Sequence, residues 1–79
     1  MPFRLEVRLT AADVGKRVVI RWRRPAGQAD EVADVLGTLE ASDGDSFRVR
    51  TALGELVVIA RDRALAGKVV PHGRRHPSP

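Results

Sequence analysis

Hydrophobic and polar positions alternate with a period of two along most of this chain, and that period predicts strands. In Phe3–Leu9, Phe3, Leu5, Val7 and Leu9 share one face, and Arg4, Glu6 and Arg8 share the other. In Arg17–Arg23, Val18, Ile20 and Trp22 oppose Arg17, Val19, Arg21 and Arg23. In Ser46–Thr51, Phe47, Val49 and Thr51 oppose Arg48 and Arg50. Glu55–Ala60 is apolar at nearly every position, so it reads as a strand covered on both sides. Ala52-Leu53-Gly54 separates this strand from Ser46–Thr51, and Leu56, Val58 and Ala60 are expected to pair with Phe47, Val49 and Thr51 across the Leu53-Gly54 turn. Asp34–Ala41 supports two readings. It alternates as a strand, but Val32, Val35, Leu36 and Leu39 also fit the helical spacing i, i+3, i+4, i+7. Gly37 at its centre costs a helix about 1 kcal/mol and permits a bend in a strand, so strand is preferred.

The connections carry their own signals. Thr10 followed by Asp13 has the form of a capping box over a single helical turn that Gly15 ends. Pro25, Gly27 and the small residues around them predict a loop over Arg24–Ala33. Asp43-Gly44-Asp45 predicts a tight turn held by local aspartate hydrogen bonds. Asp62–Ala66 suits a helical turn ending at Gly67, with Lys68-Val69-Val70 as a last short strand stopped by Pro71. The expected architecture is all-β: a small SH3-like barrel of five or six short antiparallel strands over residues 1–71, followed by a disordered basic tail over 72–79. Its predicted core is Leu5, Val7, Val18, Ile20, Trp22, Leu39, Phe47, Val49, Leu56 and Val58.

Size narrows the function. Seventy-nine residues make one domain with one thin core and no room for a deep catalytic cleft. With no cysteine, disulfides and thiolate metal sites are excluded, and the expected location is the cytoplasm. No apolar run is long enough to cross a bilayer, and the N-terminus is too charged for a signal peptide, so no membrane association is expected. The net charge of +4 is mostly a property of the tail. Residues 1–67 hold eleven basic and ten acidic side chains, and Lys68, Arg74 and Arg75 supply the rest. A basic total is therefore weak evidence for nucleic acid. The excess of arginine over lysine fits a GC-rich bacterial genome.

Four pieces stand in order: Asp13-Val14-Gly15-Lys16-Arg17-Val18-Val19-Ile20-Arg21, Asp34-Val35-Leu36-Gly37-Thr38-Leu39, Val49-Arg50-Thr51 with Gly54-Glu55, and Gly67-Lys68-Val69-Val70-Pro71. This ordered set resembles the SH3-like domain at the N-terminus of actinobacterial GNAT-family acetyltransferases, often labelled histone-acetyltransferase-like. The resemblance covers most of the chain, roughly residues 10–71. It implies a non-catalytic accessory module, and an acetyltransferase domain as a protein partner. The chain stops where that family continues into its catalytic domain, so the expectation is a stand-alone relative. It is taken as either a monomer or a dimer paired through an edge strand such as Phe3–Leu9.

Three constellations bear on chemistry. Arg17, Arg21 and Arg23 line one face of one strand, with Arg24 next, and Arg48 and Arg50 fall on the matching face of another. Together they either form a basic patch for the phosphates of a nucleic acid or pair across strands with Glu6, Glu40 and Glu55. Trp22 alternates to the opposite side and reads as core. Arg24-Pro25-Ala26-Gly27-Gln28-Ala29 matches R-x-x-G-x-A, the acetyl-CoA pyrophosphate loop of GNAT enzymes, which needs a helix N-terminus behind it. In a chain of this length an ordinary Pro/Gly loop is the preferred reading, and an acetyl-CoA-binding fragment the lesser alternative. His72 and His76 have a metal-ligand spacing but no other ligand near them, so no metal is expected. Asp30, Glu31 and Asp34 make an acidic loop that reads as solvated. No catalytic acid/base pair and no cofactor site can be assigned.

Overall fold

The computed structural model describes residues 7–26 and 29–71. Five strands form one antiparallel sheet: β1 (Arg17–Ala26), β2 (Ala29–Ser42), β3 (Ser46–Thr51), β4 (Leu56–Ala60) and β5 (Ala64–Val69). Their order across the sheet is β4-β3-β2-β1-β5. Helical turns among the described residues are two short 3-10 turns, Ala11–Asp13 and Arg61–Arg63. The all-β expectation is met, and the described residues contain no helix able to span a membrane.

A lone sheet has no second layer, so it buries its apolar face by curling over it. Val18 and Ile20 of β1, Val35 and Leu39 of β2, Phe47 and Val49 of β3, and Ile59 of β4 meet in one core with Leu9. The guanidinium of Arg61 lies 4.3 Å from the centre of the Phe47 ring. The same side chain donates to the Asp43 carbonyl and, at 3.1 Å, to Ser42 Oγ. One arginine thereby ties the turn after β4 to the turn after β2.

The predicted loop over 24–33 is instead the tip of a long hairpin. β1 and β2 pair without a break from Arg17↔Thr38 to Ala26↔Ala29. Pro25 is tolerated there because β5 stops opposite Trp22, which leaves the end of β1 as an edge with no ladder bond to lose on that side. Residues 23–26 and 29–32 thus project as a two-stranded ribbon. The helical alternative for residues 32–39 is excluded, since they lie within β2. Gly37 sits where β2 passes closest to β3. A Cβ built on it would meet the Arg50 carbonyl oxygen, the Arg50 carbonyl carbon at 2.8 Å and Val49 Cγ1 at 2.9 Å.

β4 shows its other face to the core. Phe47 pairs with Ile59 and Val49 with Val57, so Ile59 is fully buried and Val57 partly buried. Leu56 and Val58, placed in the core by the sequence, are 42% and 51% exposed. The reason is the loop length. Thr51 N–H donates to Glu55 O at 2.9 Å, which closes a three-residue loop over Ala52, Leu53 and Gly54, with Gly54 at φ +88°. Three residues in the loop place Val57 and Ile59, not Val58 and Ala60, opposite Val49 and Phe47, so the expected pairing is off by one and the faces are reversed.

At the N-terminus, Thr10 and Asp13 form the expected capping box, and Gly15 follows at φ +96°. The predicted strand Phe3–Leu9 is reduced among its described residues to a single parallel bridge, Val7↔Gly67. Leu9 is buried without being in a strand. Leu5 lies outside the described residues. The turn and strand predicted over 62–70 both begin earlier, at Arg61 and Ala64. Gly67 is therefore mid-strand rather than a terminator. A Cβ there would come within 3.2 Å of Leu9 Cδ1, so its bare backbone lets the N-terminal segment lie against β5.

Candidate interaction surface

Alternation sends every second residue of the curled sheet outward. Directly opposed residues form a row across four strands: Arg17 of β1, Thr38 of β2, Arg50 of β3 and Leu56 of β4. Val19 and Leu36 make the next row on β1 and β2, followed by Arg21 with Asp34 and then Arg23 with Val32. On the other flank Arg48 opposes Val58. The structure thus brings Arg17, Arg21, Arg23, Arg48 and Arg50 onto one outer face. Arg24 belongs elsewhere. It shares the parity of Val18, Ile20 and Trp22 and opposes Glu31 near the hairpin tip.

Half of the six arginines are matched by carboxylates. Arg21 holds Asp34 through two bonds of 2.9 and 3.2 Å. Arg24 donates twice to Glu31 Oε1, at 3.2 and 2.7 Å. Arg50 grips both oxygens of Glu40 at 2.9 and 3.1 Å and gives a third bond to Gly54 O at 3.0 Å. Glu31 and Asp34 of the acidic segment are therefore spent on arginines of the same hairpin. Arg17, Arg23 and Arg48 make no ion pair among the described residues. These three guanidiniums stand at separate positions on the face, and Arg48 lies within the field of the Asp43 carboxylate.

Four apolar side chains interrupt the charges on this face. Val32 is 54% exposed and Leu36 44%, beside Leu56 and Val58. Beside Leu36 lies a shallow depression of about 320 Å³ whose walls also include Arg17, Thr38, Arg50 and Thr51. The outward placement of Leu56 and Val58 is hidden in the sequence, because Leu56-Val57-Val58-Ile59 is an unbroken apolar run. Trp22, as expected, packs partly buried against the core.

Four carboxylates on this scaffold, Asp13, Asp34, Glu40 and Asp43, share one electrostatic property. The Arg21 hydrogen bond holds Asp34 below its ordinary value, and the Arg50 hydrogen bond does the same for Glu40. The same bonds raise the two guanidinium values. Asp43 is lowered by the backbone N–H of Asp45 and then of Ser46, and Asp13 by the backbone N–H of Thr10 and then by Lys16. Each folded value lies below its unfolded one. The stabilisation is therefore complete above the unfolded carboxylate range and is lost as pH falls through the folded values. The thermal midpoint is expected to be flat above about pH 5 and to drop below about pH 4. Asp43→Asn shallows that acid limb in a thermal melt series, and an unchanged limb would refute the assignment.

No three or more metal-ligating side chains cluster among the described residues. His72 and His76 lie outside them. The R-x-x-G-x-A segment lacks the helix its chemistry needs, because Ala29 opens β2. Gly27 and Gln28 of that segment lie outside the described residues. Comparison with known proteins adds a family and nothing finer. No curated protein and no solved structure matches the chain. A family model described as the Rv0428c N-terminal Sm-like domain matches residues 12–68. That stretch runs from the capped turn before β1 almost to the end of β5, so it takes in the whole sheet, and the chain belongs to the Rv0428c N-terminal Sm-like domain family.

Proposed function

We propose that this domain is a non-catalytic interaction module of the SH3-like kind, which docks another polypeptide on the outer face of its sheet. The observation that carries this reading is the composition of that face. Exposed Val32, Leu36 and Val58 stand among arginines, and Arg21 and Arg50 already have carboxylate partners. Protein-binding surfaces combine apolar anchors with arginine in this way. Phosphate backbones favour uncompensated cations instead. The family description is of an N-terminal domain, which supports a role beside a further domain. The resemblance of the four ordered motifs to the N-terminal domain of GNAT acetyltransferases makes such a catalytic domain the first partner to try. Nucleic-acid binding is the competing reading, and the unpaired Arg17, Arg23 and Arg48 are what favours it.

A photo-crosslinking residue at position 36 tests the first reading. We expect a discrete polypeptide adduct that disappears in a Val58→Glu variant with an unchanged amide spectrum. An amide-resolved titration with a mixed-sequence DNA duplex and a single-stranded RNA, at low and near-physiological salt, tests the second. Saturable shifts at Arg17, Arg23 and Arg48 that weaken with salt would replace protein docking with phosphate binding.

A further inference from the structure

The outer face is not the only concave feature of the domain. An open cleft of about 500 Å³ lies between the end of β1 and the start of β4, lined by Trp22, Arg24, Pro25, Glu55, Leu56 and Val57. Two of its residues, Trp22 and Val57, pack against the core, while Leu56 belongs to the outer row of the sheet, so the cleft sits at the rim of the sheet. The lining is apolar along Trp22, Pro25, Leu56 and Val57, with two charged groups.

Those two charges are not equivalent. Arg24 is neutralised by Glu31, with its Nε and Nη2 both bonded to that carboxylate. Glu55 has a backbone N–H bonded to Thr51 Oγ1, but its carboxylate has no ion pair or hydrogen bond among the described residues. The cleft therefore holds one uncompensated negative charge beside an aromatic ring. An anion would meet an occupied guanidinium and a free carboxylate. A cation on an apolar stem would meet a carboxylate for its head and a tryptophan face for its stem. The volume exceeds one side chain, which leaves space for the backbone that carries it.

We propose that this cleft receives a lysine or arginine side chain of a partner polypeptide, with its stem against Trp22 and Val57 and its charge on Glu55. This site is separate from Leu36 and Val58 on the outer face, and either can fail without the other.

Trp22 is the chain's one tryptophan, so its indole N–H is an unambiguous reporter. The probes are capped pentapeptides with one central arginine or lysine among small neutral residues, and the same peptide with norleucine at the centre. We expect saturable shifts of the Trp22 indole and the Glu55 amide with the basic peptides only. Glu55→Gln, an exposed substitution that leaves the fold intact, weakens binding about tenfold. Trp22→Phe retains an aromatic stem contact and still binds, more weakly. The proposal is overturned by no shift with the basic peptides at millimolar concentration, by equal binding of the norleucine peptide, or by unchanged affinity in Glu55→Gln. Indole shifts that track protein concentration without peptide would also overturn it, in favour of a second copy as the occupant.

Discussion

Gly37→Ala lowers the unfolding free energy by about 3 kcal/mol, read as a fall in the urea midpoint at unchanged slope. A domain of this size has on the order of 5–10 kcal/mol in total, so one methyl group removes a large share of it. The methyl has nowhere to go. Two of the three atoms it would strike are the carbonyl oxygen and carbon of Arg50, and the third is Cγ1 of the buried Val49. A flexible side chain tip can swing aside, but the backbone of Arg50, paired with Thr38 on one side and Leu56 on the other, cannot. β3 has to move away from β2, and that motion loosens the Gly37↔Thr51 and Thr38↔Arg50 pairs together. It also pulls Arg50 from Glu40. An alanine variant as stable as the parent would mean that β2 and β3 do not approach as described.

The second large effect lies on β4. Ile59→Ala costs about 2–5 kcal/mol, because it empties a fully buried site. Val58→Ala next to it costs under about 1 kcal/mol, since that side chain is half exposed. The contrast measures register. If the loop after β3 held two residues, Val58 would face Val49, and the two costs would exchange. Chemical denaturation of both variants decides between the registers, and the larger loss at Val58 would overturn the three-residue loop.

That contrast also shows what alternation can and cannot reveal. β1 and β3 set arginines (Arg17, Arg21 and Arg23; Arg48 and Arg50) against an apolar face, so their faces are legible residue by residue. Val18, Ile20, Phe47 and Val49 are all in the core as read. The Thr10–Asp13 cap and the Asp43 turn are local chemistry, and both appear as their side chains demand. In Glu55–Ala60 the alternation is silent, because apolar residues occupy consecutive positions. Its orientation then hangs on loop length alone. Pro25 misled for a related reason. Its restriction matters only where a neighbour strand needs its missing N–H, and which strands are neighbours is a property of the whole sheet. The arginine face was legible as a set of positions, with Arg24 the exception. Of its charge balance only Glu40 was legible, and it pairs with Arg50 as the cross-strand reading had it; Arg21–Asp34 and Arg24–Glu31 depend on the hairpin running to Ala26↔Ala29. Glu55 gave no signal at all, since its significance is the lack of a cation across an open cleft.

The strand order has a kinetic meaning. β1 to β4 form a meander in which each strand pairs with its predecessor across a short turn. β5 instead returns to the far side of β1, so that Val18 lies opposite Val69, about 50 residues away along the chain. The meander can zip from local turns, but this last pairing must first gather distant ends and bear their closure entropy before any contact repays it. Leu9 and Val7 depend on the same event, because the surface they cover includes Gly67 of β5. The domain is thus assembled as a hairpin ladder and sealed by its C-terminal strand, and the seal, more than the ladder, sets how fast the native core becomes dry.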